Sequence, residues 1–430
     1  MDRTRPCGPA LLAVLIGWIA LASPPASAAT AAWSRQFGTR QADEALAVAL
    51  DRSGNAYVAG WTFGTLPGQT SAGTVDAFVR KVDPEGNELW TRQFGSWESD
   101  FARSVAIGPS GDVYVVGETN GTLPGQRSAG GRDAFLRRYD PEGSEQWTRQ
   151  FGGRGGDGAT GVAVDGAGEA YVVGTTAAAL PGQRWAGDYD AFIGKYDGAG
   201  NELWTRQFGS VAGDGVRGIA LDPAGRPTLV GSTEGSLVDQ RSAGGFDAFI
   251  RQYGTSGEHI WTRQFGTPAA DYGVAVAVDR LGDPTVAGST DGALSGESSG
   301  GETEAFLRRF DPAGTPRWTH QFGAGSADEG WGVAVDGAGD TYVVGTTQHR
   351  SLTQTTPAKT HCFARKYGAA GQELWAEEFG TDDTDLAFSV AVDQTGHLYV
   401  AGSTKGTLSG QTSAGDRDAY LMRLAAGAGG

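Results

Sequence analysis

Residues 88–95 read ELWTRQFG, and the same eight residues recur at positions 202–209. The tryptophan of this motif returns every 57 residues along the chain, at Trp33, Trp90, Trp147, Trp204, Trp261, Trp318 and Trp375. Phe and Gly follow each of them four and five residues later. A fixed period of this length is typical of repeat architectures, so the repeat is the primary constraint on the fold.

Each repeat contains four short segments with β-strand character, which in the first repeat are residues 47–50, 56–62, 76–82 and 88–94. The turns at residues 51–55 and 83–87 contain glycines that we expect to adopt a positive φ. No segment of the repeats has apolar residues at helical spacing. Four-stranded units repeated radially are typical of propeller blades. The sequence therefore predicts an all-β fold, a seven-bladed β-propeller of four-stranded blades.

The two ends of the repeat array indicate how a ring would close. The array begins with a fourth-strand sequence, Trp33–Phe37, and ends just after a third-strand sequence at residues 418–424. The alternative is an open solenoid, but solenoids need atypical capping repeats, and the first and last repeats here resemble the middle ones. We predict that the N-terminal strand completes the last blade.

The first 28 residues have the pattern of a signal peptide: a basic start, an apolar run from residue 10 to residue 22, and the small residues Ala26, Ser27 and Ala28. Cys7 precedes the apolar run, so the segment has no lipobox. Residues 29–430 are predicted to be a single propeller domain with an Ala/Gly-rich tail at 425–430. No later segment is apolar enough for a transmembrane helix. The predicted location is secreted or cell-surface.

The formal net charge is −16, which disfavours nucleic acid and anionic lipid as partners. Signal-peptide removal would leave Cys362 as the only cysteine, which excludes an internal disulfide. We interpret Cys362 as a small buried apolar side chain. The sequence predicts a monomer without a cofactor, a bound metal or membrane insertion.

Three segments of the third repeat resemble a known family. They are GVAVDGAGEAYVVG at residues 161–174, DAF at 190–192 and KYDGAGNELW at 195–204. Together they resemble the bacterial SBBP β-propeller repeat, and the resemblance extends over the whole chain after residue 28. It implies an exported or cell-surface propeller, mostly without an assigned activity, and it supplies no catalytic residues.

Several columns of the repeat indicate architecture. A small apolar pair such as Val48-Ala49 suits the innermost strand, and a glycine column suits close backbone approach. An aspartate recurs in every repeat, placed in the loop that joins one blade to the next: Asp43, Asp100, Asp157, Asp214, Asp271, Asp328 and Asp385. We interpret these carboxylates as acceptors that fix turns, with a cation-binding ring as the alternative.

Binding residues are expected on one face of the ring. The long connection between the second and third strands lies on the same face as the blade-to-blade loop, and binding residues usually lie on such loops. Aromatic residues outside the repeated columns occur there, and those at the candidate binding site are Trp61, Trp97, Trp185, Trp331, Tyr189 and Tyr272. Aromatic rings of this kind stack on sugars or peptide side chains.

The sixth repeat departs most from the pattern, because His361-Cys362 replaces the usual Asp-Ala. With His349 these residues suggest a metal site, but their spacing matches no zinc motif, so we favour loop divergence.

The sequence contains no recognisable catalytic constellation. The preferred function is a non-catalytic binding or display scaffold for a glycan or a surface protein. The alternatives are an exported carbohydrate-active enzyme with an acidic pair in the central funnel, and a structural cell-surface or matrix component.

Overall fold

A computed structural model describes residues 31–425, except residues 301, 324–326 and 350–358 and the side chain of residue 349. The predicted signal peptide, residues 1–28, and nearly all of the predicted tail lie outside the described residues. The described chain forms 28 strands in seven four-stranded antiparallel sheets. The prediction of an all-β, seven-bladed propeller is confirmed.

The four strands of each blade lie side by side in sequence order, with the first nearest the axis and the fourth at the rim, except that β1 is the fourth strand of the last blade. The innermost strands are β2 (Asp43–Leu50), β6 (Asp100–Ile107), β10 (Asp157–Val164), β14 (Asp214–Leu221), β18 (Asp271–Val278), β22 (Asp328–Val335) and β26 (Asp385–Val392). The second strands are β3 (Ala56–Thr62), β7 (Val113–Thr119), β11 (Ala170–Thr176), β15 (Pro227–Thr233), β19 (Pro284–Thr290), β23 (Thr341–His349) and β27 (Leu398–Thr404). The third strands are β4 (Asp76–Val82), β8 (Asp133–Tyr139), β12 (Asp190–Tyr196), β16 (Asp247–Tyr253), β20 (Glu304–Phe310), β24 (Lys359–Tyr367) and β28 (Asp418–Leu424). The outermost strands are β5 (Glu88–Phe94), β9 (Glu145–Phe151), β13 (Glu202–Phe208), β17 (His259–Phe265), β21 (Pro316–Phe322), β25 (Glu373–Phe379) and β1 (Ala31–Phe37).

The ring closes through the N-terminal strand. Strand β1 pairs antiparallel with β28, so the last blade has the order β26-β27-β28-β1. The innermost strand of the first blade, β2, also contacts β26 and β27 of the last blade. Closure by residues Trp33–Phe37, as the sequence predicted, therefore joins the first and last repeats.

The innermost strand starts earlier than the sequence indicated. We expected it to begin at Ala47 with Asp43 in the preceding loop, but β2 begins at Asp43. The reason is a β-bulge: the pairing register with β3 shifts between Ala45 and Ala47, which leaves Leu46 as the extra residue. A bulge interrupts the two-residue alternation that identifies a strand, so the sequence pattern predicts a loop for the part of β2 before Ala47.

The glycine column and this bulge are parts of one arrangement. Gly60 on β3 pairs with Ala45, next to the bulge, and a Cβ at Gly60 would lie only 1.8 Å from the carbonyl oxygen of Glu44. The equivalent glycine of every other blade shows the same approach. The predicted close backbone approach is therefore confirmed, and it occurs between the two inner strands of one blade.

The repeated Trp and Arg of the outermost strand hold neighbouring blades together. Trp90 Nε1 donates to the carbonyl of Pro141 at 3.1 Å, and Arg92 Nε donates to the carbonyl of Gly143 at 2.7 Å. Both acceptors lie in the turn between the third and fourth strands of the next blade. Trp33 and Arg35 make the same bonds from β1. The Trp bond recurs from Trp33, Trp90, Trp147, Trp204, Trp261 and Trp318, and the Arg bond from the five of these strands that carry Arg, so these contacts join neighbouring blades at the rim.

The repeated Gln of the same motif fixes the long loop between the second and third strands. Gln93 Nε2 donates to Asp76 Oδ2 at 2.7 Å and to the Gly64 carbonyl at 2.9 Å, while its Oε1 accepts the Leu66 N–H at 2.9 Å. Leu66 is buried beneath the loop. The loop base is thus part of the framework, and only the distal loop positions are free to vary.

Candidate functional site

A cavity of about 860 Å³ lies on the propeller axis. The extra residue of every inner-strand bulge lines it, and these bulge residues are Leu46, Arg103, Thr160, Arg217, Val274, Trp331 and Phe388. Arg132, Tyr189 and Phe246, from the long loops between second and third strands, also line it. The cavity therefore opens on the long-loop face, and we call it the channel mouth.

The structure brings three of the six predicted binding aromatics together. Tyr189, Tyr272 and Trp331 all line the channel mouth. The other three do not line it. Trp61 packs against Phe63 and Phe101, with ring centroids 5.3 and 6.0 Å away, whereas Trp97 and Trp185 lie on the surface with 73% and 52% of their area exposed. The binding role of all six residues remains a prediction.

Sequence reasoning missed several residues of the channel mouth, among them Arg103, Arg217, Phe246 and Phe388. Three of these four occupy the bulge position, three residues after the repeated aspartate. That column changes chemistry from blade to blade, as does the position directly after the aspartate, whereas the aspartate and the Val-Ala or Ile-Ala pair further along the strand are kept. A search for the most variable column of the inner strand would have identified it. Phe246 lies in a long loop, in the same variable repeat position as Arg132 and Tyr189, directly before the aspartate that begins the third strand.

The charged groups at one side of the channel mouth form a small network. Arg103 NH2 lies 2.6 Å from Glu118 Oε1, and Arg132 NH1 lies 3.2 Å from Glu118 Oε2. The Arg103 guanidinium also lies over the Phe101 ring at 5.1 Å. Glu118 is buried and shared by two arginines, so this side of the channel mouth carries a net positive charge.

Arg217 is the exception among these charged side chains. It is exposed to the channel and makes no hydrogen bond or ion pair with the described residues. Burial by surrounding protein lowers the pKa of the Arg217 guanidinium, Arg103 lowers it further, and Tyr272 and Glu329 oppose the effect. An arginine remains charged even so, because its usual pKa lies far above neutrality.

The repeated aspartates are buried at the start of the inner strands and accept hydrogen bonds from the preceding turn. Asp100 Oδ2 accepts the Ser96 N–H at 2.6 Å and the Ser96 hydroxyl at 3.0 Å. The backbone N–H four residues earlier donates likewise at Asp43, Asp157, Asp214, Asp271 and Asp385. This is the bonding of a turn-fixing carboxylate. Among the described residues, no cluster of three or more His, Cys, Asp or Glu side chains is arranged to hold a metal ion.

Burial gives these aspartates a predictable pH dependence. It raises the pKa of Asp43, Asp100, Asp157, Asp214 and Asp271 despite their hydrogen bonds. A carboxyl with a raised folded-state pKa favours folding when protonated, and this contribution is lost as the pH rises through the folded pKa. When the pH is raised from 4 to 7, we expect the free energy of unfolding of Asp157→Asn, measured with urea, to fall less than that of the wild type.

Asp197 provides the matched control for that prediction. The Asn201 side chain donates to its carboxylate and lowers the pKa of Asp197. A carboxyl with a lowered pKa stabilises the fold above its unfolded pKa. As the pH rises, the free energy of unfolding of Asp197→Asn should therefore increase less than that of the wild type. If both substitutions changed the pH dependence of the unfolding free energy in the same direction, the raised pKa of Asp157 and the lowered pKa of Asp197 could not both be right.

The sixth blade extends its hairpin where the other blades have the long-loop motif. Strands β23 and β24 pair out to His349 and Lys359, and His361 lies opposite Thr347. Cys362 is fully buried, with its Sγ 3.5 Å from the Tyr420 hydroxyl, and burial raises the pKa of its thiol. The interpretation of Cys362 as a buried core residue agrees with this environment. The His349 side chain lies outside the described residues.

These features define a class: a closed seven-bladed propeller with a variable side-chain ring at the channel mouth. The sequence profile of the SBBP family, described as Beta-propeller repeat, matches residues 32–66, 89–124, 146–180, 260–294 and 317–352. The chain therefore contains SBBP β-propeller repeats at five places in the ring.

One curated relative is the Regulatory protein FlaEY of Caulobacter vibrioides, 31% identical over 192 residues, which are 41% of this chain. The chain covers only about a fifth of that protein's length, 20%. Among solved structures, the polysaccharide lyase Uly1 superposes with a TM-score of 0.52 and 11% identity, over 89% of this chain and 90% of that one. A gluconolactonase of Xanthomonas campestris gives a TM-score of 0.41 and 12% identity, over 94% and 99%. The likeness to Uly1 shows the fold alone.

The described part of the chain contains no helix with the length and apolarity that a bilayer crossing requires.

Proposed function

We propose that this protein is an exported, non-catalytic binding scaffold that receives a glycan or a segment of a surface protein at the channel mouth. The observation that carries the proposal is the ring of bulge residues. The inner strands repeat their Asp, Val/Ile and Ala positions, yet the bulge position holds Leu, Arg, Thr, Arg, Val, Trp and Phe in the seven blades. Residues that hold the fold together are the same in each blade, whereas recognition of an asymmetric ligand requires side chains that differ between blades.

The acids around the channel mouth also support binding. Glu44, Glu118 and Asp214 line the cavity among the described residues. Glu44 lies 2.7 Å from Arg417, Glu118 is bound by two arginines, and Asp214 accepts the Ser210 N–H. Each carboxylate is already engaged in protein contacts. A glycosidase-like pair needs one acid free to protonate a leaving group and another free to attack or to activate water.

The aromatic wall of the channel mouth provides the direct test. Trp331 Nε1 donates to Thr346 Oγ1 at 3.3 Å, and its ring meets Phe388 edge to face at 5.9 Å. We expect Trp331→Ala to weaken ligand binding at least tenfold, because stacking contact in a partly buried site is lost. Glycan and peptide arrays probed with the purified protein provide the measurement.

Trp97→Ala is the matched control, because Trp97 is exposed outside the cavity. Its array signals should equal those of the wild type. Signals that fall with Trp97→Ala and persist with Trp331→Ala would place the ligand on the rim instead. An array with no ligand for the wild type would favour the structural alternative, a wall or matrix component.

Export is tested separately by expressing the full chain in a bacterial host. Cleavage near Ala28 should give a mature chain outside the cytoplasm, with its N-terminus read by mass spectrometry. A chain that keeps residues 1–28 and remains in the cytoplasm would contradict the exported part of the proposal.

A further inference from the structure

The bulge residues divide the channel mouth into two chemically different halves. Neighbouring blades two, three and four contribute Arg103, Thr160 and Arg217. The remaining blades, five, six, seven and one, are also neighbours around the ring, and they contribute Val274, Trp331, Phe388 and Leu46. A polar, cationic half therefore faces an apolar, aromatic half across the axis.

The cationic half contains one arginine without a partner. Arg103 pairs with Glu118, which it shares with Arg132, whereas Arg217 makes no ion pair or hydrogen bond with the described residues. Arg217 is exposed in the channel, and the planar donors of a guanidinium match a carboxylate in two parallel hydrogen bonds. Arg217 is thus arranged to pair with an anionic group that enters the channel.

The surroundings of Arg217 point to a sugar as the carrier of that anion. Tyr272 lies on the adjoining blade, and its ring stacks near that of Phe246 with centroids 5.4 Å apart and planes inclined by 33°. Thr175 and the exposed Tyr189 also line the cavity. Aromatic faces contact the C–H faces of sugar rings, and hydroxyl side chains exchange hydrogen bonds with sugar hydroxyls.

We infer that the channel mouth binds the end of an oligosaccharide that carries a carboxylate, with the carboxylate on Arg217 and the sugar ring between Tyr272 and Trp331. This inference rests on the proposed binding function and names the ligand class of the same site. A neutral sugar would leave Arg217 unpaired. A long polyanion would meet the acidic surface outside the channel, because the net charge of the chain is −16. A short uronate end satisfies both conditions.

The test compares a galacturonate trimer with its methyl ester, which has the same rings without the charge. Calorimetric titration of the full mature protein should show binding of the acid and at least tenfold weaker binding of the ester. Arg217→Gln should weaken acid binding at least tenfold and leave ester binding unchanged, because one charged hydrogen-bonding partner is removed. Trp331→Ala should weaken binding of both probes.

Arg52→Gln is the control, because Arg52 is exposed on the hairpin face at the other end of the channel. It should bind like the wild type, and circular dichroism should show the same thermal transition for all variants. Equal affinity for acid and ester, an unchanged Arg217→Gln, or no binding of the acid would overturn the inference.

A further arm separates this inference from the proposed function. A tripeptide that ends in leucine, tested as free acid and as amide, represents a protein chain end. Binding of the peptide acid that depends on Arg217 and Trp331, without binding of the galacturonate, would overturn the saccharide assignment and leave the channel-mouth site standing. If the arrays contain no ligand that depends on Trp331, the proposed function itself fails.

Discussion

Gly231→Ala is expected to lower the free energy of unfolding by about 3 kcal/mol or more, because the added methyl group has no space. A Cβ at Gly231 would lie 1.9 Å from the carbonyl oxygen of Gly215 and 2.9 Å from the Phe249 ring. The nearest obstacle is backbone, which cannot rotate away. Relief would require the inner two strands of the blade to separate beside the bulge at Arg217.

Gly166→Ala is the control for this prediction. Nothing lies within 4 Å of a Cβ at Gly166, and its backbone has no positive φ. Its stability should stay within about 0.5 kcal/mol of the wild type, as for most surface substitutions. Urea denaturation of both variants measures the difference. Equal midpoints would show that the inner strands tolerate a wider spacing than the structure indicates.

Removal of β1 is expected to have the second large effect. Without Ala31–Phe37, strand β28 becomes an exposed edge that has lost six paired residues, at roughly 1 kcal/mol for each ladder hydrogen bond. The bonds from Trp33 to the Pro84 carbonyl and from Gln36 to Asp418 also disappear. A chain that starts at residue 39 should therefore unfold at a much lower urea concentration and self-associate through its open edge.

A chain that starts at residue 29 keeps β1 and is the control. A synthetic peptide of residues 29–38, added to the truncated chain, should restore part of the lost stability in proportion to its concentration, since it binds the folded state alone. Size-exclusion chromatography and urea unfolding follow both effects. A truncated chain that is monomeric and as stable as the control would show that closure by β1 contributes little.

Most of the fold was predictable from the period. The 57-residue spacing of Trp predicts seven blades, and the partial repeats at the two ends predict closure by Trp33–Phe37. Bounds of the second, third and outermost strands in the first repeat agree with the structure, because alternation and turn glycines are local signals. Gly54 and Gly86 have the expected positive φ, 83° and 82°. These features depend on residues close together in sequence.

The candidate site was predictable only in part. Trp331, Tyr189 and Tyr272 stood out as departures from the repeat, and the structure places them on one cavity. The same criterion also selected Trp97, which lies on the exposed surface. A residue that departs from the repeat is one that the repeated framework does not require, but the sequence does not specify the direction in which its side chain points.

The sequence by itself determined the ring, the number of blades and the way the ring closes, because strand alternation, turn chemistry and period are properties of neighbouring residues. Only the tertiary structure decided which column faces the axis. The bulge at Leu46 and its equivalents shifts the alternation of the inner strand and turns one variable residue per blade into the channel. Arg217 of blade four and Trp331 of blade six then line the same cavity, because the blades are arranged around one axis.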